Sequence, residues 1–267
     1  MKERGASRPD GATWVGVPLT IAVVLLAQIF EGGRLRTLVQ PTAGLVVFGG
    51  TIAALLVSYP LPTLGRALAA VRQAFRTAPA PTTAIVSQFT QYSIRARRKG
   101  IMSLEADIAR AADPFLARAL TLAVDGFSPV DVKSSLELDN RTREDADEDA
   151  AQVLEAAAGY APTLGILGAV LGLIHVMDNL AAPSRLGSGI AVAFVATIYG
   201  VGSANLIFLP LATKLRALAR AAALQREIVI EGIAAIQGNV HPRLVEQHLS
   251  AYVRVRVEQG GAARAAA

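Results

Sequence analysis

The 267-residue sequence contains no cysteine, only three histidines and 5% aromatic residues. Without cysteine there are no disulfides, no thiol catalysis and no thiolate-bound metal. His175, His241 and His248 show no zinc spacing, so no metal site is expected. A nucleotide-binding glycine loop and a nucleophile elbow are also missing, so the chain is not expected to be an enzyme or to carry a cofactor. The pI of 9.9 does not point to nucleic acid, because the basic residues are spread along the chain rather than clustered with stacking aromatics. The most informative absence lies in Gly159–Arg216, GYAPTLGILGAVLGLIHVMDNLAAPSRLGSGIAVAFVATIYGVGSANLIFLPLATKLR. Its two glycine-rich apolar runs hold no acid or strong base at their centres, where a self-contained ion transporter needs one.

What is present is hydrophobic: 52% of residues are apolar and the mean hydropathy is +0.42, high for a soluble chain. Four runs account for it: Val15 to Phe30, Pro41 to Pro60, Pro162 to Met177 and Ile190 to Pro210. The second and fourth have the roughly 20-residue length that a hydrocarbon core demands, and the other two are shorter. All four are expected to span a membrane. Lys2, Arg4 and Arg8 precede the first run as they would in a signal peptide. EGGRLRTLVQP follows it instead of a small-residue cleavage site, which favours a retained helix.

Orientation follows from the basic residues, which favour the cytoplasmic side of short spans. The two short connections hold only Arg34, Arg36 and Arg185, so both termini are expected in the cytoplasm. The fold class is all-α integral membrane protein with four transmembrane helices, a helical cytoplasmic domain inserted between spans 2 and 3, and a helical C-terminal extension. The expected boundaries are 1–13 for the N-terminus, 14–60 for the first hairpin, 61–160 for the cytoplasmic domain, 161–210 for the second hairpin, and 211–267 for C-terminal helices with a disordered tail.

Within the middle segment, Leu64, Leu68, Val71 and Phe75 recur at helical spacing, and that helix should stop before Pro79 and Pro81. A second helix is expected over Thr82–Lys99, ending at Gly100. Asp113-Pro114 and Ser128-Pro129 each place a capping residue before a proline, as at a helix start. From Pro129 the pattern stays helical through Ala158 and can continue into the third span as one rod. The acidic run Arg141–Asp149, RTREDADED, is taken as a solvated helix face. After Pro210 helix is expected to about Gln237, then again from Pro242 toward Glu258, with GGAARAAA left without structure.

The spans are built to pack. Gly165, Gly168 and Gly172 fall on one face of the third helix with Ala169 beside them, and Ala196, Gly200 and Ala204 recur every four residues in the fourth. Small residues at this spacing let backbones approach closely in lipid. Thr197 and Asn205, with Thr51, Ser58 and Ser203, either satisfy local backbone groups or line an ion path. Pro162 and Pro210 bracket the pair, as kinks or as ordinary termini. His175, near the end of the third span, is taken as an interfacial polar residue.

The segments LVQPTAGLVVFGGTIAALL, GYAPTLGILGAVLGLIHVMDNL and PSRLGSGIAVAFVATIYGVGSANLIFLPLATKL closely resemble the MotA/PomA family of flagellar motor stators, over about Val15 to Asn239. The resemblance implies a homo-oligomer of five subunits in the bacterial inner membrane. The ring surrounds two copies of a MotB-like, single-span, peptidoglycan-binding partner whose aspartate binds the permeating ion. It also implies that the cytoplasmic domain pushes the rotor protein FliG. Through the match ARRKGIMSLE, Arg97 and Glu105 take the family's rotor-contact charges, with Arg98 and Lys99 as helpers. Pro162 and Pro210 align with the family's two prolines and Thr197 with its threonine facing the partner aspartate. Ala169 stands where sodium-driven members carry a second threonine, so the resemblance implies protons rather than sodium as the permeating ion. Three rival functions stand beside the stator. Related ExbB/TolQ proteins share the last two spans but have three spans and an external N-terminus. A self-contained transporter and a passive membrane scaffold complete the set.

Overall fold

Proline and glycine punctuate the computed structural model, which describes residues 11–75, 82–180 and 183–265. The order is α1 (Gly11–Phe30), a 3-10 turn (Leu35–Leu38), α2 (Pro41–Gly44), a π turn (Leu45–Gly49), α3 (Gly50–Ser58), α4 (Leu61–Ala74) and α5 (Thr82–Lys99). A second 3-10 turn (Ile101–Leu104) leads to α6 (Glu105–Ile108), α7 (Pro114–Val124), α8 (Pro129–Asp178) and α9 (Pro183–Ser203). A second π turn (Ala204–Phe208) precedes α10 (Leu209–Gln237) and α11 (Pro242–Ala265). All regular structure among the described residues is helical. The expected stop at Pro79 and Pro81, the basic residues Lys2, Arg4 and Arg8, and the Arg185 side chain lie outside the described residues.

The caps fall where the proline pairs place them. The Asp113 carboxylate accepts from the Phe115 N–H at 2.9 Å with Pro114 opening α7, and the Asp131 N–H donates to the Ser128 hydroxyl at 3.2 Å as α8 begins. α8 then runs 50 residues without a break through Pro162, so helix continues from Pro129 into the third apolar run. The tail differs from expectation, because α11 continues to Ala265 through Gly260 and Gly261. Alanine and arginine are strong helix formers, and extending an existing helix avoids the cost of nucleation, which offsets about 1 kcal/mol per glycine.

The apolar pattern carries no sign of either π turn. The one before Pro210 has a direct cause: proline offers no N–H and its ring clashes with the carbonyl four residues back. The Leu209 N–H bonds to the Ala204 carbonyl, five residues earlier, and the helix resumes beyond the extra residue.

Three helical stretches are long and apolar enough to cross a membrane: Leu35–Ser58, Pro129–Asp178 and Leu186–Gln237. The first run forms a shorter apolar helix, Trp14–Phe30.

The chain divides into two units. One comprises residues 1–78 and 146–217, the other 79–145 and 218–267. In the first, Ala43 and Val47 pack with Ala161, Val195 and Ala196, and Ala67 packs with Ala150 and Val153. Large apolar side chains stay exposed along α8 and α9, among them Ile166, Val170, Ile174, Phe194, Ile198 and Val201. That is the pattern of helices whose outer faces meet lipid or other helices. The second unit has a helical core of its own, with Phe89, Leu104, Phe115, Leu120, Leu136, Ile228, Ile233 and Leu249 fully buried.

Candidate functional site

The first unit's site is the seam between α8 and α9, and small residues make it. A β-carbon on Gly165 would lie 2.9 Å from the Ala196 carbonyl oxygen, one on Gly168 2.8 Å from the Ala196 β-carbon, and one on Gly172 2.8 Å from the Ala193 nitrogen. On the facing helix, a β-carbon on Gly200 would lie 3.1 Å from the Pro162 α-carbon and one on Gly189 2.6 Å from the Val176 side chain. The backbones touch, so larger side chains have no room. The two small-residue faces lie against each other within the chain, and Gly189 and Ala193 extend them beyond the motif. Ala204 is buried, but within the π turn rather than on the regular helix.

Thr197 sits with its α-carbon 3.5 Å from where a Gly165 β-carbon would be, and its side chain is exposed on α9. Its hydroxyl donates to the Ala193 carbonyl at 3.3 Å, which leaves oxygen lone pairs to accept from another group. Ala169, one turn beyond Gly165, is partly buried and contributes no oxygen. The other polar groups serve the backbone. Thr51 donates to the Val47 carbonyl at 2.6 Å, Ser203 to Gly200 at 3.2 Å and Asn205 to Val201 at 3.0 Å. Ser58 meets the Tyr160 hydroxyl at 2.9 Å.

Tyr199, two residues from Thr197, points the other way. Its hydroxyl donates to the Leu38 carbonyl and accepts from the Gln40 N–H at 3.3 Å, satisfying backbone groups at the turn before α2. His175 is exposed and lines a cavity of about 380 Å³ with Thr42, Gly172 and Ser188.

Arg216, past Pro210 and beyond the fourth apolar run, is a residue that sequence reasoning misses. Its guanidinium donates to both oxygens of Glu148, the shortest at 2.7 Å, and to both oxygens of Glu155, one at 2.8 Å. Hydrogen bonding to Glu148 is the main reason its pKa moves up, so it is firmly charged. Glu148 and Glu155 are two helical turns apart on α8, and that seven-residue spacing was the available signal. The acidic run is therefore only partly a solvated face. Besides Glu148, Asp149 pairs with Arg66 at 3.8 Å and Glu144 accepts from Asn140 at 2.7 Å.

In the second unit, Arg97, Arg98 and Lys99 end α5 and Glu105 begins α6, all exposed. Like charges thus gather on one side of a corner and an acid on the other. Among the described residues no cluster of three His, Asp or Glu is placed to hold a metal.

Residues 107–228 match the MotA/TolQ/ExbB proton channel family, and residues 14–94 match the Motility protein A N-terminal region. Motility protein A of Bacillus subtilis (strain 168) is 30% identical over 259 residues, 95% of this chain and 96% of that protein. The structure of C. jejuni MotAB is similar with a TM-score of 0.85 and 26% identity, covering 91% of this chain and 95% of that one. The flagellar MotAB stator complex from Bacillus subtilis is similar with a TM-score of 0.83 and 30% identity, covering 90% and 95%.

Proposed function

The chain belongs to the MotA/TolQ/ExbB proton channel family, and on that footing we propose that it is a flagellar motor stator subunit working with a MotB-like partner. The observation that carries this reading is the α8–α9 seam, packed backbone to backbone and without an ionisable centre. An ion crossing lipid needs a compensating charge, so a partner's aspartate supplies it, next to Thr197. The similarity to MotAB complexes supports such a partner. The match of residues 14–94 to Motility protein A favours a motor over an ExbB/TolQ-type energiser.

In this reading four helices cross the inner membrane, both termini and the second unit lie in the cytoplasm, and five copies surround the partner. The permeating ion is the proton. A sodium ion stripped of water wants several oxygen ligands, and Ala169 provides none. Proton flow past Thr197 works the α8–α9 pair between Pro162 and Pro210, and Arg97, Arg98, Lys99 and Glu105 push FliG by repeated, weak, charge-steered contacts. Expression of the chain in a strain lacking its stator subunit tests this: restored swimming with a MotB-like partner supports the reading, and restoration of outer-membrane energisation alone contradicts it.

A further inference from the structure

The four exposed charges assigned to rotor contact stand on either side of one corner. α5 stops at Lys99, Gly100 turns the chain with φ of +78°, and the 3-10 turn Ile101–Leu104 delivers Glu105. Long charged side chains keep a fixed spacing only if the backbone beneath them is held. Leu104 is fully buried, and the Ser103 hydroxyl donates to the Gly100 carbonyl at 2.7 Å. Across the corner, Arg95 Nη2 lies 2.8 Å from Asp107 Oδ2, an ion pair rather than an aligned hydrogen bond.

That pair is rooted in the core. The Asp107 side chain is 12% exposed. The Arg95 guanidinium lies 5.3 Å from the centre of the Tyr92 ring, and Tyr92 meets Phe89 edge-on at 5.7 Å. Burial pushes the Tyr92 phenol up, so the ring stays neutral beneath the cation. A cation over an aromatic face and against a carboxylate has little freedom to move.

We infer that Arg95 and Asp107 are positioning residues for the rotor contact: their ion pair across the corner sets the spacing between the Arg97–Lys99 cations and Glu105. The inference rests on the reading of those four charges as the FliG-binding set. Arg95 itself engages Asp107 and Tyr92 and is not a member of that set.

The test uses the full chain assembled with its MotB-like partner, in wild type, in Arg95→Met, and in the swap Arg95→Asp with Asp107→Arg. At a temperature where every variant is folded, affinity for purified FliG should fall about tenfold in Arg95→Met and recover in the swap, while the unpaired Asp107 carboxylate also lowers the melting temperature of Arg95→Met. A lower melting temperature with unchanged affinity for FliG would mean that the pair is only structural, and overturns the inference. Because the chain has no cysteine, spin labels at Met102→Cys and Val130→Cys, both exposed in the second unit, report the corner without FliG. Their distance distribution should broaden in Arg95→Met and narrow again in the swap. An unbroadened distribution overturns the positioning role alone, whereas failure of the wild type to bind FliG overturns the reading of the four charges.

Discussion

Gly200 lies so close to Ala161 that a β-carbon on it would fall 2.5 Å from the Ala161 carbonyl oxygen. Backbone cannot yield there as a side-chain tip can. Gly200→Ala should therefore push α8 and α9 apart, costing about 1–3 kcal/mol as overpacking does, and should abolish swimming. Gly202→Ala, with nothing within 4 Å, is the control on the same helix. Thermal melting in detergent and swimming of complemented cells check both.

Arg216 is a third exposed, and Glu148 and Glu155 are exposed to a similar degree, so solvent screens the triad. Arg216→Gln should reduce stability by only about 0–1 kcal/mol, and by less as salt rises. Chemical denaturation at low and high salt checks it. A loss of several kcal/mol would contradict a solvent-screened triad.

Arg97→Glu and Glu105→Lys should each slow swimming, and the double reversal should stay defective unless FliG carries compensating changes. Swimming speed of complemented cells is the measurement. Normal swimming by the double reversal would remove these residues from the rotor contact.

Swimming speed at fixed pH should not change with sodium concentration, because Ala169 offers no ligand. Strong sodium dependence would overturn the assignment of the proton.

The helices were legible because their signals are local. Asp113-Pro114 and Ser128-Pro129 are short-range caps, and the residues Gly165, Gly168 and Gly172 predict a packing face by spacing alone. What escaped the sequence depends on distant partners. Arg216 finds Glu148 and Glu155 only after α8 and α10 have folded side by side. Asp107 becomes Arg95's partner only because Gly100 reverses the chain. The π turn before Pro210 was hidden because an apolar run has the same composition with or without one extra residue in a turn. Helix extended further into the glycine-alanine tail than composition suggested, since α11 was already formed when it reached Gly260.

In the proposed stator the α8–α9 pair is half of a proton conduit completed by a partner's acid. Proton flux into liposomes tests it most directly, comparing the full chain with its MotB-like partner, the chain alone, and the Thr197→Val variant with the partner. Flux is expected for the wild-type pair, with strongly reduced flux for Thr197→Val and none for the chain alone. Equal flux from the chain without a partner would contradict it.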